Sequence, residues 1–218
     1  MDKLIIQGGT RLKGEVEISG SKNSLLPILS GTLLTDAPCV IRHSPNLRDT
    51  NTMLKILRSL GKNAEFDKGV ISVKSNGITN CVADYKLVST MRASFCVLGS
   101  LLAKFKAAKV SLPGGCIIGV RPVDLHLKGL KALGADINIE GGYVVAKAKR
   151  LRGAHIYLGG EYGSSVLATD NVMMTATLAQ GKTIIESAAC EPEVADLAEF
   201  LIKMGAKIKG HGSPIIEI

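Results

Sequence analysis

The 218-residue chain is long enough for one sizeable core, or for one domain and part of a second. Its net charge of +8 favours an anionic partner, but the lysines and arginines are scattered, and 4% aromatic residues are too few for a base-stacking platform, which disfavours nucleic acid. Five widely spaced cysteines without a CxxC pair, and no histidine cluster, argue for reduced thiols and against zinc.

No stretch is apolar enough to span a membrane, and the opening MDKLIIQGG lacks the hydrophobic region of a secretory signal. A cytoplasmic protein is expected. Along the chain, one pattern recurs three times. Apolar helices are predicted over residues 24–34, 93–103 and 166–179, each followed by a short strand, at 39–42, 109–112 and 183–186.

Each strand leads through a polar loop into an amphipathic helix that ends in a glycine, in LRSLGKN, LKALGAD and LIKMGAK. The glycines are Gly61, Gly134 and Gly205, about 70 residues apart, and a left-handed cap is the role glycine fills there. Candidate hairpins follow, pairing 63–66 with 70–73, 136–139 with 143–148, and 207–209 with 214–218, across the turns DKG, EGG and HGS. Residues 81–83 and 155–158 then lead into the next unit. The class is α/β, and helices apolar over most of their surface belong inside it.

The stretch LPGGCIIGVRPVDLH, residues 112–126, concentrates the chemistry. Pro113, Gly114 and Gly115 before Cys116, with Gly119 beyond it, give a thiol between two permissive joints. Pro122 suits the first turn of the following helix and puts Arg121 at its start, where charge and free amides form an anion site. The alternative is an inert cysteine in a glycine turn.

These residues resemble the cysteine loop of the UDP-N-acetylglucosamine enolpyruvyl transferases, in which PGGCxIGxRPVDLH is a specific motif and is intact here. GSKNSLLPIL is similar to the GSKNxxLP signature of that family, and STMRAS to its TMRAS. The resemblance implies an inside-out α/β barrel of three βαβαββ-like units with buried helices and outer sheets. It further implies transfer of the enolpyruvyl group of phosphoenolpyruvate to UDP-N-acetylglucosamine, the first committed step of peptidoglycan synthesis.

Carried onto this sequence, Cys116 is the expected catalytic acid. Lys22, Asn23 and Arg121 are the expected phosphoenolpyruvate contacts. UDP-N-acetylglucosamine is expected at Asn23, Arg92, Arg121, Pro122, Val123, Asp124, Leu125, Gly163, Ser164, Ser165 and Val166, although GSSVLATDNVMM departs from the commonest family pattern. Taken one at a time, these residues are also ordinary helix caps and surface cations.

Family members are about twice as long and close their site with a second domain. The expectation is therefore that residues 1–21 form a strand segment belonging to that second domain. Residues 22–218 then form the catalytic-loop domain, with repeats at about 22–80, 81–153 and 154–218. The general base would lie in the missing C-terminal domain, leaving this chain inactive alone. No cofactor or metal is expected. Alternatives are transfer to a shikimate-type phosphate, disfavoured by the cysteine loop, and a non-catalytic module binding anions or nucleic acid.

Overall fold

The computed structural model describes residues 3–75, 77, 80–114 and 122–218. The first unit holds α1 (Lys22–Gly31) with a 3-10 turn over Thr32–Leu34, β1 (Cys39–Ile41), α2 (Arg48–Ser59), β2 (Lys62–Asp67) and β3 (Val70–Ser75). The second holds β4 (Val82–Ala83), α3 (Tyr85–Val88), a 3-10 segment over Arg92–Cys96 running into α4 (Val97–Phe105), β5 (Ala107–Ser111), α5 (Asp124–Ala132), β6 (Asp136–Glu140) and β7 (Tyr143–Lys147). The third holds β8 (His155–Tyr157), α6 (Val166–Ala176), β9 (Ile184–Glu186), α7 (Pro192–Lys203) and β10 (Ile215–Glu217).

The sheets repeat one wiring. Their orders are β1-β3-β2, β4-β5-β7-β6 and β8-β9-β10, with antiparallel hairpins and with β4 and β8 parallel to their neighbours. Strands alternate between core and solvent, so Ala64, Ile71, Val73, Val144 and Ala146 point inward. The helices are inside. Every residue of α6 from Ala168 to Ala176 is buried, the polar Thr169, Asp170, Asn171 and Thr175 included, whereas α2 buries only one stripe through Met53, Leu54, Ile56 and Leu57.

Two glycines set how tightly the helices meet. A methyl on Gly99 of α4 would stand 2.5 Å from the Asn171 carbonyl oxygen, and one on Gly129 of α5 would stand 2.2 Å from Val172 Cγ2. Both partners lie on α6, which thus takes α4 and α5 at backbone distance. The repeated cap glycines are equally specific: φ is 101° at Gly61, 97° at Gly134 and 104° at Gly205. Behind the last two, a pair of amide bonds (Gly134 to Lys131 O and Ala135 to Leu130 O; Gly205 to Ile202 O and Ala206 to Leu201 O) closes a Schellman cap.

The structure differs from the sequence pattern in detail. α1 starts at Lys22, two residues early, because the Ser21 hydroxyl caps it by accepting from Ser24 N at 3.3 Å. The third hairpin shrinks to a single bridge between Lys209 and Glu217, since Ser213 Oγ bonds Gly210 O and Ile215 O and closes a wider turn. α3 was not predicted. Residues 3–20 form neither helix nor strand and leave Leu4, Ile6, Leu12, Val16 and Ile18 exposed. No helix among the described residues is long and apolar enough to cross a membrane.

Candidate functional site

Six helices begin at one end of the molecule. The starts of α1, the Arg92 segment and α6 bring Lys22, Asn23, Arg92 and Val166 there, and the starts of α2, α5 and α7 bring Asp49, Asp124 and Glu193. Two adjoining clefts lie among them. The first, of about 560 Å³, is lined by Lys22, Asn23, Asp49, Thr90, Arg92 and Glu193, among others. The second, of about 480 Å³, runs along Pro122, Asp124, Leu125 and residues 160–167. Arg92, Val166 and Leu167 wall both.

Local sequence explains the placement. Ser165 Oγ accepts from Ala168 N at 3.3 Å and fixes the start of α6, while Gly160 and Gly163 exchange backbone bonds at 2.9 and 3.1 Å. Gly163 has φ of 86°, so this tight loop turns residues 163–165 into the second cleft. Arg92 crosses between walls, its Nη2 donating to the Pro122 carbonyl at 3.1 Å.

In the first cleft, Lys22 and Asn23 already have carboxylate partners. Lys22 Nζ stands 3.0 Å from Asp49 Oδ2, and Asn23 Nδ2 donates to Glu193 Oε1 at 3.3 Å. The Lys22–Asp49 pair is substantially exposed, and such pairs are worth about 0–1 kcal/mol. An arriving phosphate or carboxylate can therefore take the ammonium from Asp49 at small cost, while free amides at the helix starts add donors.

Below the clefts the groups are buried. His126 is 1% exposed and stacks edge-on against Phe95, with ring centroids 5.1 Å apart. Its Nδ1 lies 2.8 Å from Asn171 Nδ2, and burial, aided by the Arg92 charge, lowers its pKa to about 3. Asp170, fully buried in α6, has no partner for either carboxylate oxygen, and burial followed by repulsion from Glu193 and Glu191 raises its pKa well above the usual range. The buried Cys96 thiol is likewise pushed up by burial and by Asp170.

Of the residues expected from sequence, Lys22 and Asn23 line the first cleft, Arg92 and Val166 line both, and Pro122, Asp124, Leu125, Gly163, Ser164 and Ser165 line the second. Val123 packs against the core and lines neither. Cys116 and Arg121 lie outside the described residues; Gly114 and Pro122, the nearest described residues on either side, line the first and second cleft respectively. Sequence reasoning missed Asp49 and Glu193. Their signal was present, because each is an acid in the first turn of a second helix, twelve residues before a cap glycine.

A family model described as EPSP synthase (3-phosphoshikimate 1-carboxyvinyltransferase) matches residues 6–218. The chain belongs to the EPSP synthase family. Within it, the chain is 58% identical over 213 residues to the UDP-N-acetylglucosamine 1-carboxyvinyltransferase of Methylacidiphilum infernorum, covering 98% of this chain and 50% of the relative. It is 53% identical over 218 residues to the enzyme of the same name from Geotalea uraniireducens, covering 100% of this chain and 52% of the relative. The chain thus spans about half the length of the curated relatives it matches.

Two solved structures share the fold. The enolpyruvyl transferase NikO from Streptomyces tendae superposes with a TM-score of 0.82 at 23% identity, over 97% of this chain and 49% of that one. EPSP synthase from Acinetobacter baumannii superposes with a TM-score of 0.72 at 17% identity, over 94% and 46%. The inside-out α/β barrel expected from sequence is therefore the architecture observed.

Proposed function

We propose that the chain is the catalytic-loop half of an enzyme that transfers the enolpyruvyl group of phosphoenolpyruvate to UDP-N-acetylglucosamine. The observation that carries this reading is the double role of Arg92, which walls a cleft holding Lys22, Asn23, Asp49 and Glu193 on one side and a second, less polar cleft of similar size on the other. Two ligands bound side by side, one of them a small anion at the Lys22 cleft, fit that division. The names of the relatives at 58% and 53% identity supply the pair.

In this reading the phosphoenolpyruvate anion sits at Lys22, Asn23 and Arg121, the uridine along Pro122 to Leu125, and the nucleotide phosphates at Gly163 to Val166. Arg92 contacts the sugar nucleotide between them. Cys116 protonates the methylene carbon of phosphoenolpyruvate as the sugar hydroxyl adds to the neighbouring carbon. Phosphate then leaves as the methyl group gives up a proton. Asp49 and Glu193 hold Lys22 and Asn23 in place until substrate arrives.

Residues 22–218 form this half, residues 1–21 pair with a second domain, and that domain carries the general base. The enzyme then works in the cytoplasm at the first committed step of peptidoglycan synthesis, and so bears on cell shape and division. The family model's own description favours a second reading, with 3-phosphoshikimate as acceptor. Against it stand the 17% identity to a solved EPSP synthase and the intact PGGC loop.

An NMR titration of the labelled chain separates these readings. UDP-N-acetylglucosamine should give saturable shifts at Arg92, Pro122 to Leu125 and Gly163 to Val166, and should slow alkylation of Cys116. Shikimate 3-phosphate and a DNA oligonucleotide should do neither. Shifts with shikimate 3-phosphate alone would reassign the acceptor, and salt-sensitive shifts with DNA alone would make this a nucleic-acid module.

A further inference from the structure

We propose that Asn171, buried in α6 and lining neither cleft, is the positioning residue of the second cleft. Its side-chain amide joins the three elements that wall that cleft. The inference rests on the functional reading above only for the identity of the ligand.

In an unbroken α-helix the Gly99 amide would bond to the Phe95 carbonyl, four residues back. Here the Asn171 amide bridges the two: Nδ2 donates to Phe95 O at 3.1 Å, and Oδ1 accepts from Gly99 N at 2.8 Å. The bridge falls where the 3-10 segment over Arg92–Cys96 gives way to α4, a junction at which the helical ladder needs an outside partner. Arg92 opens that segment, three residues before Phe95.

The other Nδ2 proton faces His126 Nδ1 at 2.8 Å, in the first turn of α5. Pro122 lies one turn before His126, and its carbonyl receives Arg92. Asn171 itself lies five residues beyond Val166, at the start of α6. One amide thus fixes the segments carrying Arg92, Pro122 to Leu125, and Ser164 to Leu167.

The slot accepts only this chemistry. Gly99 leaves room for it, since a methyl there would stand 2.6 Å from Asn171 Oδ1, and Thr175 Oγ1 closes the network at 2.8 Å from Asn171 O and 3.1 Å from Gly99 O. A carboxylate would face Phe95 O and His126 Nδ1 with an acceptor where each needs a donor. Because Asn171 Nδ2 donates, His126 must hold its own proton on Nε2.

The test uses Asn171→Asp and Asn171→Ser in the whole chain, each checked for a cooperative melt. Affinity for UDP-N-acetylglucosamine should fall at least tenfold, and by more than the affinity for inorganic phosphate falls, because the Lys22 cleft shares only Arg92, Val166 and Leu167 with the second cleft. In Asn171→Asp, the 15N spectrum of His126 should show a proton on Nδ1, which the unsubstituted chain lacks. Unchanged sugar-nucleotide affinity in a folded Asn171→Asp chain overturns the proposal.

If the unsubstituted chain does not bind the sugar nucleotide, the functional reading fails instead. The positioning claim is then read from the Arg92 side-chain and Ser164 amide resonances, which must move in both variants. If neither variant folds, the unsubstituted chain decides: an Nδ1–H tautomer of His126, or a rapidly exchanging Asn171 amide, overturns the claim.

Discussion

Two buried ionisable groups, His126 and Asp170, act on stability in opposite directions as pH changes. His126 has a folded pKa of about 3 against an unfolded value of 6.5, so below about pH 6.5 the unfolded chain binds more protons. Stability should therefore drop by up to about 1.4 kcal/mol per pH unit between those values, from this residue alone. Replacing it in His126→Gln should flatten that limb of a denaturant-melt series. Asp170 is the reverse case, because its folded pKa is raised. The folded chain binds the extra proton above the unfolded pKa, so stability is lost as pH rises towards the folded value. Asp170→Asn should raise the melting temperature at pH 7 and give no gain below about pH 3.8. Neither effect is legible in PVDLH or TDNVMM as letters, since the burial of His126 and Asp170, and the nearness of Glu191 and Glu193 to Asp170, arise only when the helices pack. Arg92 was legible, through TMRAS, but the amide of Asn171 beneath it was not, because its partners lie 45 to 76 residues away in sequence.

Among elements, the repeat was the readable part. Gly61, Gly134 and Gly205 announce three helix ends in the sequence, and their positive φ values show why glycine recurs there. The packing glycines carry no such period. Gly129 sits in mid-helix, where alanine is the better helix former by about 1 kcal/mol. Yet its added methyl would meet Val172 Cγ2 at 2.2 Å. Overpacking of this kind costs about 1–3 kcal/mol, so Gly129→Ala should destabilise the chain despite its propensity, as chemical denaturation would register. A rise in stability would mean that α5 can retreat from α6 freely. The number of residues between strand and second helix is also uneven across the repeat: 42–47 and 187–191 in the first and third units, against 112–123, about twice as many, in the second. The extra length holds the PGGC motif, which sequence identified by resemblance rather than by period.

The whole molecule has a polarity that no single unit reveals. Helix starts, with their unpaired amides, gather around the clefts, and anion binding should accordingly weaken as salt is added. Lys22→Met should lower phosphoenolpyruvate affinity by roughly tenfold to a hundredfold, the worth of a charge-assisted hydrogen bond, as calorimetry would measure. An unchanged affinity would remove Lys22 from the anion site. The opposite end of the barrel is where α1 and α6 finish, and the loops there, carrying the exposed Ala37 and Leu178, are remote from every lining residue. This decides how the protein can be tethered or dyed. Among the described residues the exposed thiol is Cys190, which stands three residues from Glu193 and would place a label at the mouth of the first cleft. A probe attached instead through Ala37→Cys, with Cys116 and Cys190 both replaced by serine, would leave the barrel's open face turned towards solution.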